Sequence, residues 1–222
     1  MNNSAFKYII RVLGQKILAL AVFLLGSFGY INLLISIFFI FVVLITLISL
    51  LYLNKAHPKV LEKRNQIDPN TPNTDKILLL LFWLLNFFGI YFIAGTSAKD
   101  TNLDLFTFGV GLFVLIIATL ITTSALAINP FLENTAVIQS NHYVVKEGVY
   151  KIVRHPTYFA SILSSLGVGL IFQSIPVFIV MLLIWIILVI RTYLEDKMLI
   201  ENLPGYQEYS DEVKDRLVPF MW

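Results

Sequence analysis

Long apolar stretches, broken by short polar ones, fill most of the first 190 residues of the chain. A helix needs about 20 apolar residues to cross a hydrocarbon core roughly 30 Å thick, because each residue rises about 1.5 Å. Four stretches meet that length: Ile17 to Phe28, extended backward by Tyr8-Ile9-Ile10 and Val12-Leu13; Ile31 to Leu53; Ile77 to Ala94; and Leu105 to Ile128. Gly26 to Tyr30 is a tight turn that pairs the first two as an antiparallel hairpin. Two shorter runs follow, Tyr158 to Phe172 and Val177 to Ile190, joined by Gln173-Ser174-Ile175-Pro176. At about 22 Å apiece these predict a tilted hairpin, or one packed partly inside the bundle.

The pattern predicts an all-α polytopic membrane helix bundle with four full spans, a C-terminal helical hairpin and a cytoplasmic tail. It reads as a single membrane domain, 1–222, with the four transmembrane helices in 1–128 and the C-terminal region, hairpin and tail, in 129–222. The proline-punctuated segment Asn65 to Thr74 is a polar loop, because irregular backbone cannot enter lipid. Asp75 is placed at the start of the third helix. Lys7, Arg11 and Lys16 ahead of an apolar run resemble the opening of a secretory signal. A second full span follows at once without a small-x-small cleavage site, so the run is expected to stay as a span.

Composition agrees, with 58% hydrophobic and only 14% charged residues against about a quarter charged in soluble domains. With both termini on one side, all basic residues but Lys99 fall on that side, which positive-inside placement makes cytoplasmic. The expected location is a plasma or inner membrane. Cysteine is absent, which removes disulfides and thiolate chemistry. His57, His142 and His155 lack ligand-type spacing, so no metal is expected. A net charge of +2 with scattered basic residues gives no reason to expect a nucleic-acid partner.

Two polar clusters remain outside the spans. In the first, Gln139 to Tyr158, Pro156 suits the first turn of a helix and places His155 at its cap. Arg154 is then either an interfacial anchor or part of an anion-binding helix start, and the residues leave both readings open. In the second, Arg191 and Glu195 are four apart on one helical face, as an ordinary ion pair or as ligand contacts. His57-Pro58 reads as a helix end, and the Gly109-Val110-Gly111 and Gly167-Val168-Gly169 fragments as close-packing sites between helices. The run of aromatics including Phe38, Phe39, Phe87 and Phe88 reads as packing or lipid contact.

Taken in order, Gly148-Val149-Tyr150, Arg154-His155-Pro156-Thr157-Tyr158, Arg191 with Glu195-Asp196, Gly205-Tyr206-Gln207-Glu208-Tyr209 and Arg216-Leu217-Val218-Pro219 resemble the isoprenylcysteine carboxyl methyltransferase family, of the bacterial type. Related phospholipid methyltransferases share part of the pattern. Upstream, Pro58 to Arg64 with Asp75-Lys76 is a weaker echo of a Pro-x-x-Leu-x-x-Arg loop. The resemblance implies methyl transfer from S-adenosyl-L-methionine to a carboxylate of a lipophilic or prenylated acceptor reached from membrane lipid. It puts Gln139, His142, Tyr143, Val144, Val145, Tyr150, His155, Pro156, Thr157, Tyr158 and Glu195 beside the cofactor, and Arg191, with Arg154 as a second candidate, against the acceptor. Tyr143 stands where the family usually has leucine and Asp196 where many relatives have glutamate. The alternatives are an NADPH-dependent reductase of the sterol-reductase-like type, and a non-catalytic membrane binding protein on the same scaffold.

Overall fold

The computed structural model describes residues 3–64, 71–139 and 141–222. All regular structure among them is helical: α1 (Asn3–Gly26), α2 (Leu33–Ala56), α3 (Pro58–Lys63), α4 (Asn73–Trp83), α5 (Ile90–Ser97), α6 (Leu105–Ile128), α7 (Pro156–Phe172), α8 (Ile175–Asn202) and α9 (Tyr206–Glu212). A π-helical turn, Leu84–Gly89, joins α4 to α5, and a 3₁₀ turn, Gly148–Lys151, precedes α7. Asn65 to Asn70 of the expected polar loop lie outside the described residues, and Asn73 and Thr74 already belong to α4.

Five helices are long and apolar enough to cross a membrane, and the protein is an integral, multi-pass membrane protein. Four of them match the long apolar runs. The fifth is α8, at 28 residues, which corrects the expectation of two short hairpin arms; its partner α7 has only 17. The helix does not stop at Ile190 because the polar residues beyond it face inward: Arg191, Thr192 and Asp196 are 4%, 0% and 1% exposed. Their partners are protein groups, so the backbone has no reason to leave the helix.

Local chemistry sets the helix ends. Asn32 caps α2 by accepting from the Ile35 N–H at 2.9 Å, and Asp104 caps α6 by accepting from the Thr107 N–H at 2.7 Å. Pro156 occupies the first turn of α7, and Gln173, at φ 49°, ends it. The densest helix contact is between α6 and α7, where a Cβ on Gly111 would come within 2.8 Å of the Gly167 carbonyl oxygen. Only glycine lets the two backbones meet this closely. Gly109, by contrast, faces open space. Phe23, Phe38, Phe39, Tyr91 and Phe172 form one buried aromatic cluster where α1, α2, α5 and α7 converge.

Candidate functional site

The C-terminal region is tied together by one carboxylate. Asp196, on the inward face of α8, accepts from Arg154 Nε and Nη2 at 2.8 Å each, from the Tyr206 hydroxyl at 3.0 Å, and pairs with Arg216 Nε at 3.0 Å. His155 Nε2 lies 3.3 Å from the same group. The remaining Arg154 nitrogen, Nη1, donates to the carbonyls of Val213 and Lys214 at 2.6 and 3.2 Å. Backbone pairing completes the join, with the Arg154 and His155 N–H groups donating to the Asp215 and Arg216 carbonyls. Burial opposes the Arg154 charge, but the hydrogen bonds and negative field of Asp196 outweigh it and raise its pKa. Burial, reinforced by Asp196, also pushes the Tyr206 phenol far above its ordinary value, so it stays a neutral donor.

Against this frame lies a cleft of about 770 Å³, open on one side. Its walls include His142, Tyr143, Val144, Val145 and Tyr150 from the loop and 3₁₀ turn. Arg154 to Tyr158 at the start of α7 and Glu195 on α8 complete the expected set. Gln139 is not on the wall; its side-chain amide donates to the Phe131 carbonyl at 2.9 Å. The Arg154 side chain reaches the wall with its guanidinium already engaged by Asp196 and the tail carbonyls.

Several wall residues carry no sequence signal. Phe131 stacks on His142, with centroids 4.4 Å apart, and meets Tyr143 edge-on at 4.7 Å. Asn129 donates to the Tyr150 hydroxyl at 3.2 Å. Thr135 lines the cleft and is buried, and its hydroxyl has no hydrogen-bond partner among the described residues. A lone threonine in an irregular segment fits no periodicity or spacing. Tyr206 and Leu203, also on the wall, fall in and beside the Gly-Tyr-Gln-Glu-Tyr motif, which drew attention without assigning a role.

A second cavity of about 1030 Å³ opens between the membrane helices. It shares Thr157, Tyr158 and Glu133 with the first, so the two chambers meet at the start of α7. At that junction the Tyr158 hydroxyl donates to Glu195 at 2.5 Å, and the Arg191 guanidinium lies 5.2 Å from the centre of the Tyr158 ring. Arg191 is held by Asp75 at 2.9 Å through Nε and by the Asn134 carbonyl at 3.1 Å through Nη2. Asp75 sits in the first turn of α4, where a carboxylate is favoured. Nη1 of Arg191 has no hydrogen bond to a described residue. Leu79, Phe82, Trp83 and Phe87 supply an apolar wall to this chamber. The geometry therefore brings a half-buried carboxylate, a positive fork and a phenol together between the C-terminal cleft and the chamber among the membrane helices.

Residues 109–201 match the model of the isoprenylcysteine carboxyl methyltransferase (ICMT) family. The cobalt-zinc-cadmium resistance protein CzcN of Cupriavidus metallidurans is 35% identical over 75 residues, which is 32% of this chain and 34% of that protein. The chain thus matches about a third of the length of that curated relative. A solved structure of the eukaryotic intramembrane Ras methyltransferase ICMT covers the whole chain and is itself covered to 79%, with a TM-score of 0.57 at 22% identity. The two share a fold.

Proposed function

We propose, from the match of residues 109–201 to the isoprenylcysteine carboxyl methyltransferase family model, that this membrane protein methylates a carboxylate of a lipophilic acceptor, using S-adenosyl-L-methionine. The observation that carries the proposal is the meeting of the two chambers at Tyr158, Glu195 and Arg191. The cofactor would occupy the polar cleft, and the acceptor the chamber between the helices. Both termini and the mouth of the cleft would face the cytoplasm, a placement that the distribution of lysine and arginine supports.

The residues present fit that cofactor. Glu195 offers a negative charge to a sulfonium or hydrogen-bond acceptance to an amine or hydroxyl. Phe131, His142 and Tyr143 provide flat surfaces for a purine, and the unsatisfied Thr135 hydroxyl has a use only when something fills the cleft. When bound, S-adenosyl-L-methionine supplies an electrophilic methyl group on a positively charged sulfur.

The chain's own task is then positioning and charge control. An acceptor carboxylate, with an ordinary pKa of about 4, is ionised at neutral pH, so no general base is needed. Arg191, anchored by Asp75, presents the free edge of its guanidinium to that carboxylate. Tyr158, fixed by Glu195 on one side and stacked on His155 at 5.7 Å on the other, separates water from the lipid-side chamber. Excluding water there removes the hydration that would shield the nucleophile.

The test is calorimetric titration of purified protein with S-adenosylhomocysteine. Wild type is expected to bind, and Glu195→Ala and His155→Ala to bind much more weakly. Unchanged binding in both variants would refute the site. Radiolabelled methyl transfer into membrane extracts, followed by base hydrolysis, then identifies the bond: volatile methanol marks an ester, and stable label points to nitrogen.

A further inference from the structure

The chamber assigned above to the acceptor has more cationic character than one carboxylate requires. Four basic side chains line it: Arg11, Lys16, Arg64 and Arg191. Three are engaged. Arg11 donates to the Arg64 carbonyl at 2.7 Å, Arg64 donates to the Tyr8 hydroxyl and the Glu133 carbonyl at 3.2 Å each, and Arg191 is held by Asp75. Lys16 makes no hydrogen bond or ion pair with any described residue. Glu133 is the acidic residue on the same wall, and Asp75 is committed to Arg191 and to the Ala136 N–H.

Lys16 lies near the middle of the span Ala5–Gly26 and is half-buried. An ammonium at that depth is disfavoured by hydrocarbon and marks a polar environment inside the bundle. That environment is visible. Tyr8, Val12 and Lys16, on one face of α1, also line a third cavity of about 730 Å³ between α1, α2, α6 and α7. Thr46, Thr122 and Ser164 line it as well, and their hydroxyls have no hydrogen-bond partner among the described residues. An unbranched hydrocarbon or isoprenoid tail placed here would leave one ammonium and several hydroxyls unsatisfied, which burial penalises. The apolar wall of Phe82, Trp83 and Phe87 offers a tail a better home in the neighbouring chamber.

Resting on the methyltransferase reading, we infer that the acceptor carries a second anionic group beyond the carboxylate that is methylated, and that Lys16 with the α2, α6 and α7 hydroxyls binds it. The substrate class is a lipophilic molecule with two acidic groups at one end, one directed to Arg191 and the other to Lys16. Lys16 is therefore a specificity residue and takes no part in the methyl transfer itself.

The experiment is equilibrium binding of two radiolabelled probes, 2-hexadecylglutarate with two carboxylates and octadecanoate with one. The full chain is held in phosphatidylcholine nanodiscs. Wild type is expected to prefer the glutarate by about tenfold, the scale of one hydrogen bond to a charged group. Lys16→Met should reduce the preference to within twofold, and Lys16→Arg should retain it. No preference in wild type, or a preference that survives Lys16→Met, overturns the inference. So does a wild-type preference that vanishes in phosphatidylglycerol nanodiscs while Lys16→Met loses bound phosphatidylglycerol, since the site then belongs to a bilayer headgroup. S-adenosylhomocysteine binding is measured on the same samples. If Lys16→Met binds it as wild type does, the variant is folded and the probe result stands. If wild type fails to bind it while the glutarate preference holds, the methyltransferase reading falls and the Lys16 site remains.

Discussion

Two buried carboxylates, Asp196 and Asp75, each hold an arginine, yet they differ in how completely they do so. Asp196 gathers Arg154, Arg216, Tyr206 and His155, and every nitrogen of Arg154 is engaged by it or by a carbonyl. Asp75 takes one nitrogen of Arg191, spends its other oxygen on the Ala136 N–H at 3.1 Å, and leaves part of the guanidinium facing a cavity. A saturated cluster has nothing left to offer a ligand. An arginine anchored through one edge is oriented and still has donors to give. On the methyltransferase reading proposed above, the contrast suits Arg154 to architecture and Arg191 to recognition, although the two residues look alike in the sequence.

Asp196→Ala should break the molecule most. It strands a buried guanidinium and a phenol together, a loss of about 3–5 kcal/mol, seen as a large fall in melting temperature in detergent. A melting temperature near wild type would mean that the cluster is not structural. Arg191→Lys keeps the charge but loses the fork. Methyl transfer should drop roughly tenfold or more, with S-adenosylhomocysteine binding retained. Equal losses in binding and transfer would show that the two arginines are not separable in this way. Glu195→Gln should weaken cofactor binding by roughly tenfold with little change in melting.

The smallest effect is expected from Tyr206→Phe, about 1 kcal/mol for one hydrogen bond, and it also sets a pH signature. The folded state holds the Tyr206 proton far above the ordinary phenol value of about 10. Its contribution is therefore complete below pH about 10 and is lost as alkali ionises the unfolded chain. Wild type should destabilise above that pH, and the variant should do so less steeply. Identical alkaline profiles would remove Tyr206 from the cluster.

Much of this was readable in the sequence, for reasons that differ by residue. Pro156 announces a helix start by its missing N–H, and the apolar runs announce spans by length. The far end of α8 was misjudged because Arg191, Thr192 and Asp196 look like the polar exit of a span, when their polarity is answered inside the protein. Asp75 and Arg191 stand 116 positions apart, and no local rule joins them. Thr135 is visible only as an unanswered hydroxyl in three dimensions. Lys16 was counted among the residues that fix orientation, and its solitary place between two cavities appears only once α1, α2, α6 and α7 are assembled.

The π-helical turn at Leu84–Gly89 sets where this molecule can bear a change in the length of its own gene. Such a turn is geometrically one residue added to an α-helix. A single-codon deletion there would restore regular winding and leave both halves of the helix facing as they do, whereas the same deletion within α4 or α5 would swing one half by about 100° about its axis. Asp75 lies on one side of that joint, and the α5 residues packed on α1 lie on the other. Loss of one residue from either flanking helix would force a choice between the grip on Arg191 and the seat of α5, where loss of one from the turn would spare both.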